Sequence, residues 1–208
     1  MSISNTPSTD DPDGGPAAAP AGEESRSIDD QILDAAAELV AVLGKRVQLA
    51  EIARRAGVSR PTVYRRWPDV RALVGALLTR EILTTVETNP RRGDDRAALV
   101  EWIVEIAVLI RDHPVLGGLL HSEADLLVEY VTQRLGTSQR GLLDRLREAL
   151  VAGQRGGTIR AGEPTEIAAM VLLITQSTVQ SHRMVAELLP EAAWRRELAI
   201  ALNGYLRP

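Results

Sequence analysis

Residues 56–67 read AGVSRPTVYRRW. Gly57 and Ser59 stand just ahead of Pro61, and Arg60, Tyr64, Arg65 and Arg66 follow on what reads as a very short helix. The stretch before it, about 49–56, reads as a second short helix. Two short helices that cross steeply need a small residue where they touch and a residue at ease with positive φ in the turn. Ala53 and Gly57 supply these. Ile52, Ala56, Val58 and Val63 are the apolar glue of the pair, and Ser59 is placed to cap the second helix. Pro61 is tolerable there because the first turn of a helix has N–H groups with no intrahelical partner. The spacing predicts a helix-turn-helix over 49–67.

Its outward residues would be Arg60, Pro61, Thr62, Tyr64, Arg65 and Arg66. So much exposed positive charge on one or two turns points to an anion, and the positive end of the helix dipole faces the same way. A helix of this kind enters the DNA major groove by its N-terminal residues. Arginine there reads guanine O6 and N7 with paired hydrogen bonds, and the Thr62 and Tyr64 hydroxyls suit phosphate oxygens, which set register.

Charge placement agrees. The 208 residues carry a net charge of −4, so the total does not announce a nucleic-acid binder. Residues 1–25 hold five acids and no base, and residues 81–208 hold fourteen bases against seventeen acids. Residues 26–80 hold ten bases against six acids, and this net-positive block contains the helix-turn-helix. The absence of cysteine excludes disulfides, thiolate zinc sites and a cysteine nucleophile, and fits a cytoplasmic protein. No apolar run is long enough to cross a membrane, and no secretory signal is read at the N-terminus.

The remaining pattern is helical, and the fold class expected is all-α with about nine to ten helices. Residues 1–26 (rich in Pro, Gly, Ala and Asp) are expected to be a disordered acidic tail. From Ser27, which can cap the start, Ile28, Ile32, Leu33, Ala36, Leu39, Val40 and Leu43 recur on one face. Pro68 stops the recognition helix, and a further helix runs over about 69–88. A helix over 94–112 is apolar nearly all round, hence central. Helices follow at about 115–120, 122–135, 138–154, 164–187 and 191–206, with a glycine-rich loop before Pro164.

These residues carry a resemblance. Ala36, Ala37 and Gly44, then Ile52-Ala53, Ala56-Gly57-Val58-Ser59, Thr62-Val63-Tyr64, Trp67-Pro68 and Leu73 make residues 27–80 resemble the DNA-binding domain of TetR-type transcriptional regulators. The resemblance implies an N-terminal helix-turn-helix domain over 27–72 and a C-terminal helical domain over 73–208 for ligand binding and dimerisation. It implies a homodimer on a double-stranded, palindromic DNA operator and a small-molecule effector, with no cofactor and no membrane. Carried over by motif position, Arg60, Pro61 and Arg65 would face base edges, while Ser59, Thr62, Tyr64 and Arg66 would face the backbone. Gln48 stands where a threonine often opens the second helix, and it joins the DNA-binding set. Val70 stands where the family often has a phosphate-contacting lysine, and Trp67 replaces the commoner phenylalanine as packing.

The effector pocket implied for the C-terminal domain is expected to be lined by Trp102, Ile106, Leu109, Tyr130, Met170 and Gln176. With no phenylalanine and few aromatics it should be mostly aliphatic and suit an apolar ligand with a few polar anchors. The last two helices are the dimer candidate, through Ile167, Val171 and Ile174 on one and Leu198, Leu202 and Tyr205 on the other. His113, His121 and His182 lack the spacing of metal ligands, so no metal is expected. No Gly-x-Ser-x-Gly elbow or phosphate loop occurs, and the reading is not an enzyme. The expected function is a repressor released by its ligand. The alternative is a ligand-binding or scaffold protein of the same fold with lost or altered operator recognition, supported by Val70 and the acidic tail.

Overall fold

A computed structural model describes residues 27–41, 48–122 and 136–208. Nine helices and no strand occur among them. They are α1 (Ile28–Ala41), α2 (Leu49–Arg55), α3 (Arg60–Arg66), α4 (Val70–Thr88), α5 (Arg96–Arg111), α6 (Pro114–Ser122), α7 (Thr137–Arg155), α8 (Pro164–Val185) and α9 (Glu191–Leu206). The acidic tail, Leu43 and Gly44, and nearly all of the helix expected over 122–135, with Tyr130, lie outside the described residues.

Local chemistry accounts for most of the helix starts. Ser27 Oγ accepts from the Asp30 amide at 3.1 Å. Asp69 and Asp95 cap α4 and α5, each accepting from an amide three residues on, Ala72 and Ala98, at 2.8 Å. At α7 the Gln139 side chain reaches back to the Gly136 amide at 2.7 Å.

The helices enclose two apolar cores. The first joins α1, α2 and α3 through Ile32, Ala36, Leu39, Ile52, Ala53 and Val63, and takes in Leu73, Val74, Leu77 and Leu78 of α4 and Val115 and Leu119 of α6. The second gathers α5, α7, α8 and α9 around Leu99, Ile103, Leu150, Ile167, Leu198 and Leu202, with Val86 of α4. The first half of α4 buries its leucines among α1–α3 and the end of α4 packs against the second core, so one continuous helix joins the two cores. As its pattern predicts, α5 is central, packing against α4, α6, α8 and α9.

Candidate nucleic-acid interface and internal cavity

The helix-turn-helix forms as its residues dictate. Gly57 has φ 68°, the left-handed conformation of the turn. The Val58 amide donates to the Ala53 carbonyl at 3.0 Å, and Ala53 is buried at the crossing. Ser59 Oγ accepts from the Thr62 amide at 3.3 Å, and the two hydroxyls hydrogen-bond at 2.7 Å. Val63 is fully buried and Trp67 nearly so, which turns the opposite side of α3 outward.

That outward side presents Arg60, Pro61, Tyr64 and Arg65, with Ser59 exposed at its start. Tyr64 is half exposed although it is a large aromatic residue. Two members of the expected set are differently engaged. Thr62 is half-buried with its hydroxyl held by Ser59. Arg66 is half-buried and its Nε donates to the Asp29 carboxylate of α1, so it braces α3 against α1 rather than pointing freely outward. Gln48 is exposed at the N-cap of α2 but its side chain makes no capping hydrogen bond. Arg55 is likewise tied to Glu38 of α1, which holds the Glu38 carboxyl below its ordinary range.

Behind this unit a cavity of about 330 Å³ opens between α4, α5, α6, α7 and α8. Leu78 and Ile82 of α4, Leu116 of α6 and Leu142 and Leu146 of α7 supply aliphatic wall. Of the residues expected to line a pocket, Trp102, Ile106 and Gln176 border it. The Trp102 Nε1–H is satisfied by the Asn89 carbonyl at 2.7 Å, so its ring is left as wall. Leu109 and Met170 do not border it. Both are exposed, because each sits on its helix turned away from the neighbours that enclose the space. Periodicity alone missed Ser138 and Gln139, since only the packing of α7 on α8 brings Gln139 Nε2 to within 2.9 Å of Gln176 Oε1. It also missed Arg111 and Arg183, which border the same cavity.

Arg111 closes α5. Its Nε and Nη2 donate to Asp112 at 2.8 and 2.7 Å, and Nη2 lies 3.4 Å from Glu191 of α9. The guanidinium beside Asp112 holds that carboxyl below the usual range against the opposing effect of burial. Arg111 also stacks over the Trp194 ring at 5.0 Å, and His182 meets the same ring edge-on at 5.5 Å.

The residues expected at a dimer interface are mostly taken up inside the protomer. Ile167, Val171, Leu198 and Leu202 are buried in the second core, and Val171 also borders the cavity. Ile174 packs against that core, and Tyr205 lies under Arg160 at 4.5 Å. The uncovered apolar side chains of these helices are instead Met170, Leu173, Met184 and Val185 on α8, Leu188 beyond it and Ile200 on α9. Both helices carry apolar residues on two faces, and a single protomer's core takes only one of them.

Residues 32–77 match the sequence profile of the bacterial regulatory proteins of the tetR family. An HTH-type transcriptional regulator of Mycobacterium tuberculosis, Rv2250c, is 50% identical over 177 residues, 85% of this chain and 93% of its own. The Mycobacterium bovis regulator Mb2274c matches to the same extent. The chain belongs to the TetR family. It is a TetR-family DNA-binding transcriptional regulator and not an enzyme. The fold is shared with the TetR-family repressor QsdR of R. erythropolis at TM-score 0.65 and 18% identity, over 87% of this chain and 96% of that one. RolR, solved with its ligand resorcinol, aligns at TM-score 0.62 and 16% identity, over 86% of this chain and 87% of its own. Among the described residues of this TetR-family chain, no helix is long and apolar enough to cross a membrane.

Proposed function

We propose that the protein is a cytoplasmic repressor that binds a palindromic operator as a homodimer and leaves it when an apolar small molecule enters the cavity. The observation that carries this reading is the course of α4. Leu73 and Leu77 are buried against the helix-turn-helix, and Leu78 and Ile82, on the same unbroken helix, border the cavity. A ligand that displaces the second half of α4 displaces the recognition helix with it. Two recognition helices must sit about 34–36 Å apart to fill successive major grooves, so a small change of spread lowers affinity. Couplings of about 1–3 kcal/mol are typical of such linked sites.

In this reading Arg60, Pro61 and Arg65 meet base edges, and Ser59 and Tyr64, with Gln48 at the edge, meet phosphates. The dimer forms through the uncovered α8–α9 face of Met170, Leu173, Met184 and Ile200, all exposed in the protomer. The test is fluorescence anisotropy on DNA from just upstream of the protein's own gene and on scrambled DNA, across a salt series. The expected result is at least hundredfold preference for the upstream DNA, lost with Arg60→Ala, whereas Tyr64→Phe weakens both DNAs alike. Equal and weak binding to both would sink the operator reading.

A further inference from the structure

The cavity is apolar over most of its wall, yet among the described residues its charged lining is of one sign. Arg111 and Arg183 border it, and no described Asp or Glu does. Arg111 braces α5 against α9, yet its hydrogen bonds are incomplete. Asp112 and Glu191 engage Nε and Nη2, while Nη1 is buried and has no hydrogen-bond partner. A guanidinium keeps its protons at any ordinary pH and accepts nothing, so only an acceptor can satisfy that nitrogen. Next to Arg111, but outside the cavity lining, two further polar atoms are in the same condition. Trp194 Nε1, beneath Arg111, and His182 Nε2, against the Trp194 ring, are buried without partners. Buried polar groups are ordinarily paired, and exceptions call for an explanation such as an absent ligand or water.

Charge narrows the answer. Asp112 and Glu191 offset the charge of Arg111 but leave its Nη1 donor unused. Arg183, exposed on α8, has no acidic partner within ion-pair distance among the described residues. The cavity is thus bordered by Arg111, which has hydrogen-bonding capacity to spare, and by Arg183, which has no ion-pair partner among the described residues, beside a long aliphatic wall. From this we infer that the cavity takes an amphipathic monoanion, an aliphatic carboxylate whose chain lies along Leu142, Leu146 and Ile106 and whose head accepts from Arg111 and Arg183. This rests on the reading of the cavity as the effector site and adds the chemical class of the effector.

The experiment is a calorimetric titration of the full-length protein with decanoate, decan-1-ol and decylammonium, which share a chain and differ in the head. Quenching of tryptophan fluorescence is followed in parallel, because Trp102 borders the cavity. Decanoate is expected to bind at least tenfold more tightly than decan-1-ol, and decylammonium more weakly than either. Arg183→Met, which breaks no ion pair among the described residues, is expected to bring decanoate down to the affinity of the alcohol and leave the alcohol unchanged. Arg111→Lys keeps the charge but not the forked donors, and should weaken decanoate alone. Alcohol binding as tight as decanoate in the unaltered protein would overturn the carboxylate while leaving the cavity reading intact. Silence of all three would overturn the inference and count against the cavity, and the operator test would stand apart from both.

Discussion

Gly118 of α6 rests against the backbone of Val40 in α1, so closely that a Cβ at Gly118 would stand 2.6 Å from the Val40 carbonyl oxygen. Two residues earlier on the same helix, Leu116 borders the cavity. One short helix therefore touches both the cavity and the first helix of the DNA-binding unit, a second physical connection beside α4. Gly118→Ala must push α6 away from α1, and overpacking of this kind costs about 1–3 kcal/mol. At about 2–4 °C per kcal/mol for a chain of this size, the melting temperature should fall by several degrees. Gly117→Ala is the control. Its Cβ would meet nothing within 4 Å, and replacing a helical glycine should stabilise by roughly 0.5–1 kcal/mol. Thermal unfolding followed by circular dichroism separates the two, and equal effects would remove the steric argument.

Gly57 tests backbone strain without a clash. Its φ is 68° and a Cβ there would meet nothing within 4 Å. Gly57→Ala should cost about 1–2 kcal/mol through the left-handed conformation alone, and Gly57→Asn less, since asparagine tolerates it better. A drop no larger for Ala than for Asn would contradict this account.

Arg65 and Arg66 are neighbours with different expected roles. Arg65 is exposed on α3, whereas Arg66 is bound to Asp29. Arg65→Ala should reduce operator affinity more than Arg66→Ala does. Asp29→Asn removes a negative charge and frees Arg66, so binding to any DNA should tighten and its salt dependence steepen. Anisotropy over a salt series reads both, and an unchanged slope for Asp29→Asn would mean that Arg66 cannot reach phosphate.

Acid should selectively loosen the junction of α5 and α9. The Arg111 guanidinium lowers the Asp112 carboxyl below its unfolded value. A depressed carboxylate contributes stability above its unfolded pKa of about 3.9, and that contribution is lost as pH falls through the lower folded value. The melting temperatures of the unaltered protein and Asp112→Asn should differ at pH 7 and converge toward pH 3. A gap that does not narrow at all as pH falls below about 3.9 would show that the pair acts through something other than charge.

On α8, Leu173 is 59% exposed and Val171 is fully buried, only two positions apart. Leu173→Glu should give a folded monomer by light scattering with little change in melting temperature. Val171→Glu should unfold the domain, since a carboxylate would enter an apolar core. A Leu173→Glu protein that remains dimeric would refute the proposed face.

Local chemistry was legible in the chain before any packing was known. Caps at Ser27 and Ser59, the turn glycine at Gly57 and the apolar periodicity are short-range signals, and the described helices lie within one to three residues of where these predict. The outward side of α3 follows from the same local logic, because once Val63 and Trp67 point inward the exposure of Arg60, Tyr64 and Arg65 is geometrically forced. What only the tertiary structure decided concerns choices between equivalent partners. On α8 and α9 two faces are apolar, and nothing in a single helix says which meets its own protomer. Packing against α5 assigned Ile167, Val171, Leu198 and Leu202 to the core and left Leu173 and Ile200 outside. The cavity was decided in the same way. Arg111, Gln139 and Arg183 lie on three helices well separated in sequence, and their meeting around one apolar space depends on how long helices cross, which the residues of any one of them do not encode.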